Sequence, residues 1–339
     1  MSPASELATL FRYRCRCGTI DTLLLSATAA RCRACGVEYP IQNDVIQFTT
    51  DKTEQNAHFD AVYDTAEDPA GGYEIRAAIA QNYLTLCGCD LAHGLEGASI
   101  LDVASGNGWV TAGLLLHPKI RNSKFHAFDV SPVGLQQLAK FEKTVRTSNA
   151  LEMSVQDAEA MLFDQGSFDF VIGSSVLHHF QDPERFLVRC RRILKERGVA
   201  TFGEPFALGY GLGAIALMLA QKQLRTKHQA VTALYNDLSL RIQGPAEAVA
   251  KLVDKHLFFR SAFIDMARQA GFSAVECVPL ASREFYRERF IDELLTERGI
   301  SDTALSRTAN EIYRVIFDLF DAPSYDHSIA AFQQLVLRA

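Results

Sequence analysis

From residue 98 onward, short apolar runs alternate with amphipathic stretches of helical length. The run "ASILDVA" (98–104) closes on a glycine-rich turn and predicts a buried strand. "VTAGLLLH" predicts the helix that follows. "KFHAFDV" (124–130) predicts a second strand. "SPVGLQQLAKFEKTV" predicts a helix with Ser131 as N-cap and Pro132 in the first helical position. "LEMSVQDA" and "SFDFVIGSS" predict strands three and four. "DPERFLVRCRRILKERG" predicts a helix capped by Asp182, opened by Pro183 and closed by Gly198, and "VATFGEP" a fifth strand. This alternation implies βαβ units and an α/β fold with a doubly wound, mostly parallel sheet.

The flanks obey other patterns. Residues 1–50 form a cysteine-bearing head, and the polar "TTDKTEQNAHFD" reads as a connector. Ile75, Ile79 and Leu86 recur at helical spacing ahead of the first strand. Residues 206–260 predict a wholly helical insertion. "SAFIDMARQAG" predicts a helix with Ser261 before it and Gly271 after it. "FSAVECVPL" and "SIAAFQQLVLRA" predict two last strands, separated by a mainly helical second insertion at 283–325. The expected division is therefore a head (1–50), a core (51–205), a helical cap (206–260) and the remainder of the core (261–339).

Composition narrows the class. The 339 residues are 48% hydrophobic and 22% charged, as in soluble globular proteins. A net charge of -6 argues against broad electrostatic binding of nucleic acid but leaves room for a local basic patch. The N-terminal stretch lacks the apolar core of a secretory signal. The longest uncharged apolar run, "PFALGYGLGAIALMLAQ", is broken by three glycines and is too short for a transmembrane segment. It reads as a buried helix or pocket wall, with a lipid-contacting surface as the sharper alternative. Four of the eight cysteines fall in the first 35 residues, which in a cytoplasmic chain points to metal or redox use rather than disulfides.

The chemistry centres on "LDVASGNGWVT" (101–111). It follows a strand and opens a helix, and small residues at 104, 106 and 108 let backbone approach a ligand. The spacing is small-x-Gly-x-Gly with Asp102 two residues before it, not the dinucleotide pattern, which needs a further glycine. Three later strand ends carry polar groups in step with it. Asp129 ends the second strand, where a carboxylate can accept ribose hydroxyls. Asp157 ends the third, where it can accept from an exocyclic amine. Ser174 and Ser175 end the fourth. Ligands of open α/β sheets bind beyond such ends, so the combination points to a nucleoside-like ligand.

Together, "ILDVASGNGW", "FHAFDVSPVGLQQL", "VQDAEAMLFDQGSFDFVIGSSVLHHFQDPERFLVRCRRILKERG" and "VATFGEP" resemble the class I S-adenosylmethionine-dependent methyltransferases, over roughly residues 98–205. The resemblance implies a seven-stranded Rossmann-like sheet with its last strand antiparallel. It places Asp102, Ala104, Ser105, Gly106, Asn107 and Gly108 around the methionine part of the cofactor. Asp129 holds the ribose and Val130 packs on the adenine. Asp157 and Ala158 lie by the adenine amine, with Ser174 nearby. Ala104 stands where the family most often has glycine. His178, His179 and Glu204 are the candidate bases for an acceptor proton, and Tyr63 a candidate lid over the cofactor.

In the head, Cys15-x-Cys17 and Cys32-x-x-Cys35 are fourteen residues apart, a spacing that suits structural zinc held by four thiolates. "CRACGVEYPIQNDVIQF" is similar to the zinc ribbon of the small activator protein of tRNA and rRNA methyltransferases. Cys87 and Cys89 form a close pair without further ligands and read as structural. Two functions follow. One is methyl transfer to a partly hydrophobic small molecule such as a natural product, quinone or lipid-like intermediate. The other is rRNA or tRNA base methylation using Arg12, Arg14, Arg16, Arg31 and Arg33 around the ribbon. Acidic overall charge and "GSSVLHHF" in place of an Asn-Pro-Pro-Tyr-like motif favour the first.

Overall fold

The structure is a computed structural model that describes residues 7–49, 54–64, 70–320 and 329–339. Seven strands form the core: β1 (Ser99–Val103), β2 (Lys124–Asp129), β3 (Ala150–Val155), β4 (Phe168–Ser174), β5 (Leu194–Pro205), β6 (Ala274–Pro279) and β7 (Phe332–Arg338). They lie in the order β6-β7-β5-β4-β1-β2-β3. Strands β1 to β5 are parallel, while β7 runs antiparallel to both neighbours, with Leu335 opposite Phe202 and Cys277. The strand order reverses between β1 and β4, so the strand ends there open onto a crevice.

The helices are α1 (Glu54–Asp64), α2 (Ala70–Leu86), α3 (Trp109–Leu115), α4 (Pro132–Glu142), α5 (Pro183–Ile193), α6 (Ala207–Leu224), α7 (Gln229–Gln243), α8 (Ala246–Val249), α9 (Arg260–Gln269), α10 (Arg283–Glu288), α11 (Phe290–Glu297) and α12 (Thr303–Phe320). Ser131 caps α4 by accepting from Gly134 N, and Asp182 caps α5 by accepting from Arg185 N. Both capping serine and aspartate signals therefore act as the sequence implies.

Several expectations shift. The sheet is eleven-stranded, because the head adds to it. Val45–Gln47 pairs parallel with β3, and Glu38–Gln42, Ala29–Arg31 and Leu24–Leu25 continue antiparallel outward. α5 ends at Ile193 rather than at Gly198, because Leu194 already pairs with Phe168 in the sheet. Ser261 lies inside α9, whose N-cap is Phe259 without a side-chain cap bond. Residues 206–260 are not wholly helical. Beyond α8 the chain runs irregularly and Phe258 bridges to Phe206. Ile79 is exposed, and α2 instead buries Tyr73, Ala80, Tyr83 and Leu84. The side chain of Ile75 and residues 321–325 lie outside the described residues.

The head is joined to the core by more than strand pairing. Phe11, Tyr13 and Phe48 pack with Phe163, Phe168 and His126 across the seam. Within that apolar layer the Tyr13 hydroxyl donates to Glu152 and lies 3.1 Å from His126 Nδ1. His126 Nε2 meets Ser154 Oγ at 2.8 Å, and Leu10 N donates to Glu152 Oε2 at 2.8 Å. The buried polar groups are thus paired, which removes the penalty of burying them. Burial pushes the Tyr13 phenol up and the His126 imidazole down.

The cap, α6 and α7 with α10 to α12, has its own apolar cluster, including Leu217, Phe290, Leu294 and Tyr313. Gly209 lets α6 sit against the backbone of Ala331. Most of the long apolar run falls in this helix. Its buried face packs on α12, and Leu208, Ile215, Met218 and Leu219 form its exposed face. Among the described residues no helix is long and apolar enough to cross a membrane.

Candidate functional site

A cavity of about 1140 Å³ opens at the carboxyl ends of β1, β2, β3 and β4. Its volume exceeds the roughly 300–1,000 Å³ typical of a single small-molecule pocket. The glycine-rich loop forms one wall. Ala104, Ser105 and Asn107 line the cavity, as do Asp129, Val130, Asp157, Ala158, Ser174 and Ser175. These positions, separated in sequence, are brought to one place by the parallel register of the four strands.

The loop is held by carboxylates. Asp129 Oδ2 accepts from Gly106 N and Oδ1 from Ser131 N, each at 2.8 Å. Burial raises its carboxyl to about 6. Asp102 accepts from Thr111 N at 3.1 Å and Thr111 Oγ1 at 2.7 Å, and burial raises it to about 7. Asp102 does not line the cavity. It ties the end of β1 to the start of α3, which corrects its expected place beside the cofactor. Gly106 and Gly108 also lie behind the wall, not in it. They adopt positive φ of 58° and 75°, and a side chain at Gly108 would run into Leu138. Ala104 has φ 47°, a left-handed conformation that disfavours every residue but glycine. The strain sits in the cavity wall.

Asp157 is exposed at the rim and accepts from Glu159 N, so its carboxylate also caps a short turn, Ala158–Ala160. Ser174 Oγ accepts from the Tyr83 hydroxyl at 2.9 Å. Ser105 Oγ is buried with no partner among the described residues. An unpaired hydroxyl in the loop suits a polar ligand there.

Glu204 is fully buried and does not line the cavity. Its Oε1 accepts from Val176 N and Leu177 N at 2.9 and 2.8 Å, and its Oε2 from His178 N at 3.3 Å. His178 Nδ1 lies 2.8 Å from the same oxygen. Glu204 is thereby occupied in fixing the turn Leu177–His179 and is not disposed as a base, contrary to the expectation. Of the two histidines only His179 lines the cavity. His178 is packed against it, with ring centroids 4.0 Å apart. Burial and the neighbouring His178 lower His179 to about 4.

Sequence reading missed two walls. The expected connector overlaps α1, and His58, Phe59 and Val62 line the cavity from it beside Tyr63, the one residue of this wall that the sequence singles out. Phe59, Val62 and Tyr63 recur at helical spacing, a signal available in the sequence. Tyr63 packs against Gly106 and Gly134, beside the loop as a lid residue would be. The opposite wall is Ala250–Val253 and Lys255, latched to the histidine turn. Lys255 N donates to His178 O at 2.7 Å, and Gln181 Nε2 to Ala250 O at 3.1 Å. No local pattern marks this wall, because it exists only through long-range pairing.

In the head, Cys15 Sγ lies 3.6 Å from Cys35 Sγ, and Cys17 Sγ 3.9 Å from Cys32 Sγ. Zinc–sulfur bonds of about 2.3 Å in a tetrahedron imply sulfur–sulfur edges of roughly 3.8 Å, so the four thiols fit one ion. Gly18 and Gly36 follow the pairs at φ 87° and 74°, closing a tight turn under each.

Known proteins are similar in the same region. Residues 101–202 match the family described as "Methyltransferase domain". A ubiquinone biosynthesis O-methyltransferase of Alkalilimnicola ehrlichii is 29% identical over 170 residues, 45% of this chain and 62% of that protein. The 2-methyl-6-phytyl-1,4-hydroquinone methyltransferase 1 of Oryza sativa subsp. japonica is 31% identical over 113 residues, 33% of this chain and 32% of that protein. The chain thus spans less than two thirds of these relatives. A solved complex between the Haloferax volcanii Trm112 methyltransferase activator and a methyltransferase superposes with TM-score 0.51 at 18% identity, covering 84% of this chain and 97% of that one. That likeness concerns the fold.

Proposed function

We propose that this chain, which carries a class I S-adenosylmethionine-dependent methyltransferase domain, transfers the cofactor's methyl group to a partly hydrophobic small molecule. The observation that supports it best is one cavity of about 1140 Å³. The cavity joins the glycine-rich loop, Asp129 and Asp157 to a further wall of Phe59, Val62, Phe180 and Leu252. It has room for a nucleoside-type cofactor and an apolar acceptor together.

S-adenosylmethionine, when bound, supplies an electrophilic methyl for in-line displacement. The protein's share is alignment and exclusion of water. In this reading Asp129 accepts the ribose hydroxyls and Asp157 the adenine amine, while Ala104, Ser105 and Asn107 offer backbone and hydroxyl to the methionine portion. Glu204 is a positioning residue that fixes the Leu177–His179 turn, and His179 takes the acceptor's proton where the acceptor needs one. The four head cysteines hold a structural zinc whose closed thiolate shell leaves no position for substrate.

Calorimetric titration with S-adenosylhomocysteine tests the cofactor site. Wild type binds, and Asp129→Ala weakens binding at least about tenfold, roughly 1.4 kcal/mol. No binding by pure, folded protein refutes the reading. RNA is the second reading for the acceptor, favoured by one observation: Arg12, Arg14, Arg16, Arg31 and Arg33 are all exposed around the cysteine cluster. Steeply salt-dependent RNA binding would favour it over a small molecule.

A further inference from the structure

We propose that His178, His179 and Asp254 form a second metal site, which takes a divalent first-row cation at the rim of the cavity. Each residue offers one ligand atom, and the three atoms lie within 4.8 Å of one another. His179 Nδ1 is 3.3 Å from Asp254 Oδ1, and His178 Nε2 is 3.8 Å from that oxygen. Bonds of about 2.0–2.2 Å imply ligand–ligand separations of roughly 3.0–3.5 Å, so both histidine–carboxylate distances already lie in or near that range, and turning the two rings toward Asp254 closes the third.

The surroundings favour this over a chance cluster. Glu204, held by three backbone amides, accepts from His178 Nδ1 at 2.8 Å. That bond keeps the proton on Nδ1 and leaves the Nε2 lone pair toward Asp254. A carboxylate behind a histidine is the usual outer support of a metal ligand. The Val253 carbonyl accepts from His179 Nδ1 at 3.1 Å, a bond that an ion at Nδ1 replaces while the carbonyl stays nearby as a further donor. Ligation requires the neutral His179 ring to carry its proton on Nε2, with no net release. Two imidazoles and a carboxylate suit cobalt, nickel, zinc or iron better than magnesium or calcium.

The site also has an open side. His179 and Val253 line the cavity, while Asp254 is half exposed. A cation there faces the acceptor, can bind its oxygen or nitrogen directly and acidifies that group, and so replaces His179, which as a ligand no longer takes the proton. This consequence rests on the methyl-transfer reading, but the site itself does not.

The test is a cobalt(II) titration of protein that carries one zinc at the cysteines, with the rim site first cleared by dialysis against a weak chelator, followed by calorimetry and visible absorption. One further equivalent binds, with ligand-field bands but without the intense thiolate-to-cobalt absorption that displacement at the cysteines produces. Asp254→Ala and His179→Gln each weaken binding at least about tenfold, and Glu204→Gln weakens it by about 10–100-fold, as loss of an outer partner does. Asp254→Ala keeps S-adenosylhomocysteine binding, so failure of the metal site is distinct from failure of the cofactor site. Overturning results are no further equivalent bound up to about 1 mM cobalt, or binding that both variants leave unchanged.

Discussion

Gly134→Ala is a one-carbon change that strikes the cofactor loop from behind. Gly134 sits in the first turn of α4, and a Cβ there would lie 2.5 Å from the Gly106 carbonyl oxygen and 2.7 Å from its carbon. Ordinary contact begins at 3.4 Å, so helix or loop must move by about 0.9 Å, and the obstacle is backbone, which does not rotate away. A shift of that size breaks the 2.8 Å bond from Gly106 N to Asp129. Overpacking costs about 1–3 kcal/mol and a bond to a carboxylate contributes about 1.5–3 kcal/mol. Since relief of one is loss of the other, we expect about 2 kcal/mol in total, shared between fold and site, so that about 1 kcal/mol, or roughly fivefold, falls on binding of S-adenosylhomocysteine. Calorimetry and urea unfolding measure the two halves. Gly211→Ala is the control, because its added Cβ meets nothing within 4 Å and the residue lies inside α6. It should stabilise by about 0.5–1 kcal/mol. Binding by Gly134→Ala within about twofold of wild type, under 0.5 kcal/mol, with an unmoved midpoint would refute the argument.

Two further outcomes follow from the geometry. Asp129 is raised from 3.8 to about 6 and Asp102 to about 7. The folded chain therefore holds protons that the unfolded chain has released, and the unliganded fold loses stability as pH rises through roughly 4 to 7. Ribose hydroxyls need the ionised Asp129, so affinity for S-adenosylhomocysteine rises with pH, by up to tenfold per unit below about 6, and levels above it. A dissociation constant that is flat from pH 5 to 8 contradicts this. Metal analysis of protein purified without chelator should give at least about one zinc, and Cys32→Ser should lower the content by at least about half an equivalent, with loss of head structure by circular dichroism.

Much of the fold was legible because strand periodicity and capping are local. Ser131, Pro132 and Asp182 announced their helices, and the polar ends of four strands announced the crevice. What escaped was settled by distant partners. Gly198 looked like a helix stop, yet the pairing of Leu194 with Phe168 ends α5 earlier. Glu204 looked like a base because it ends β5, and only the amides of Val176, Leu177 and His178 reveal that its oxygens are taken. Asp254 had no neighbourhood in sequence at all, since its histidines lie more than seventy residues away. Tyr63 was legible as a lid, while Phe59 and Val62 were readable on the same helical face but were masked by the polar run Thr49–His58 that precedes them.

The strand Val45–Gln47 has a consequence beyond catalysis. It covers the outer hydrogen-bonding edge of β3, where Met153 to Val155 would otherwise present bare amides and carbonyls. Such an open edge is a template for sheet-to-sheet association. The head therefore acts as a solubility guard for the Rossmann-like sheet, and trimming the chain to a minimal domain at residue 50 should yield aggregates, not a smaller enzyme. If zinc holds the head together, metal supply during synthesis governs how much of the chain escapes inclusion bodies, well before any substrate arrives.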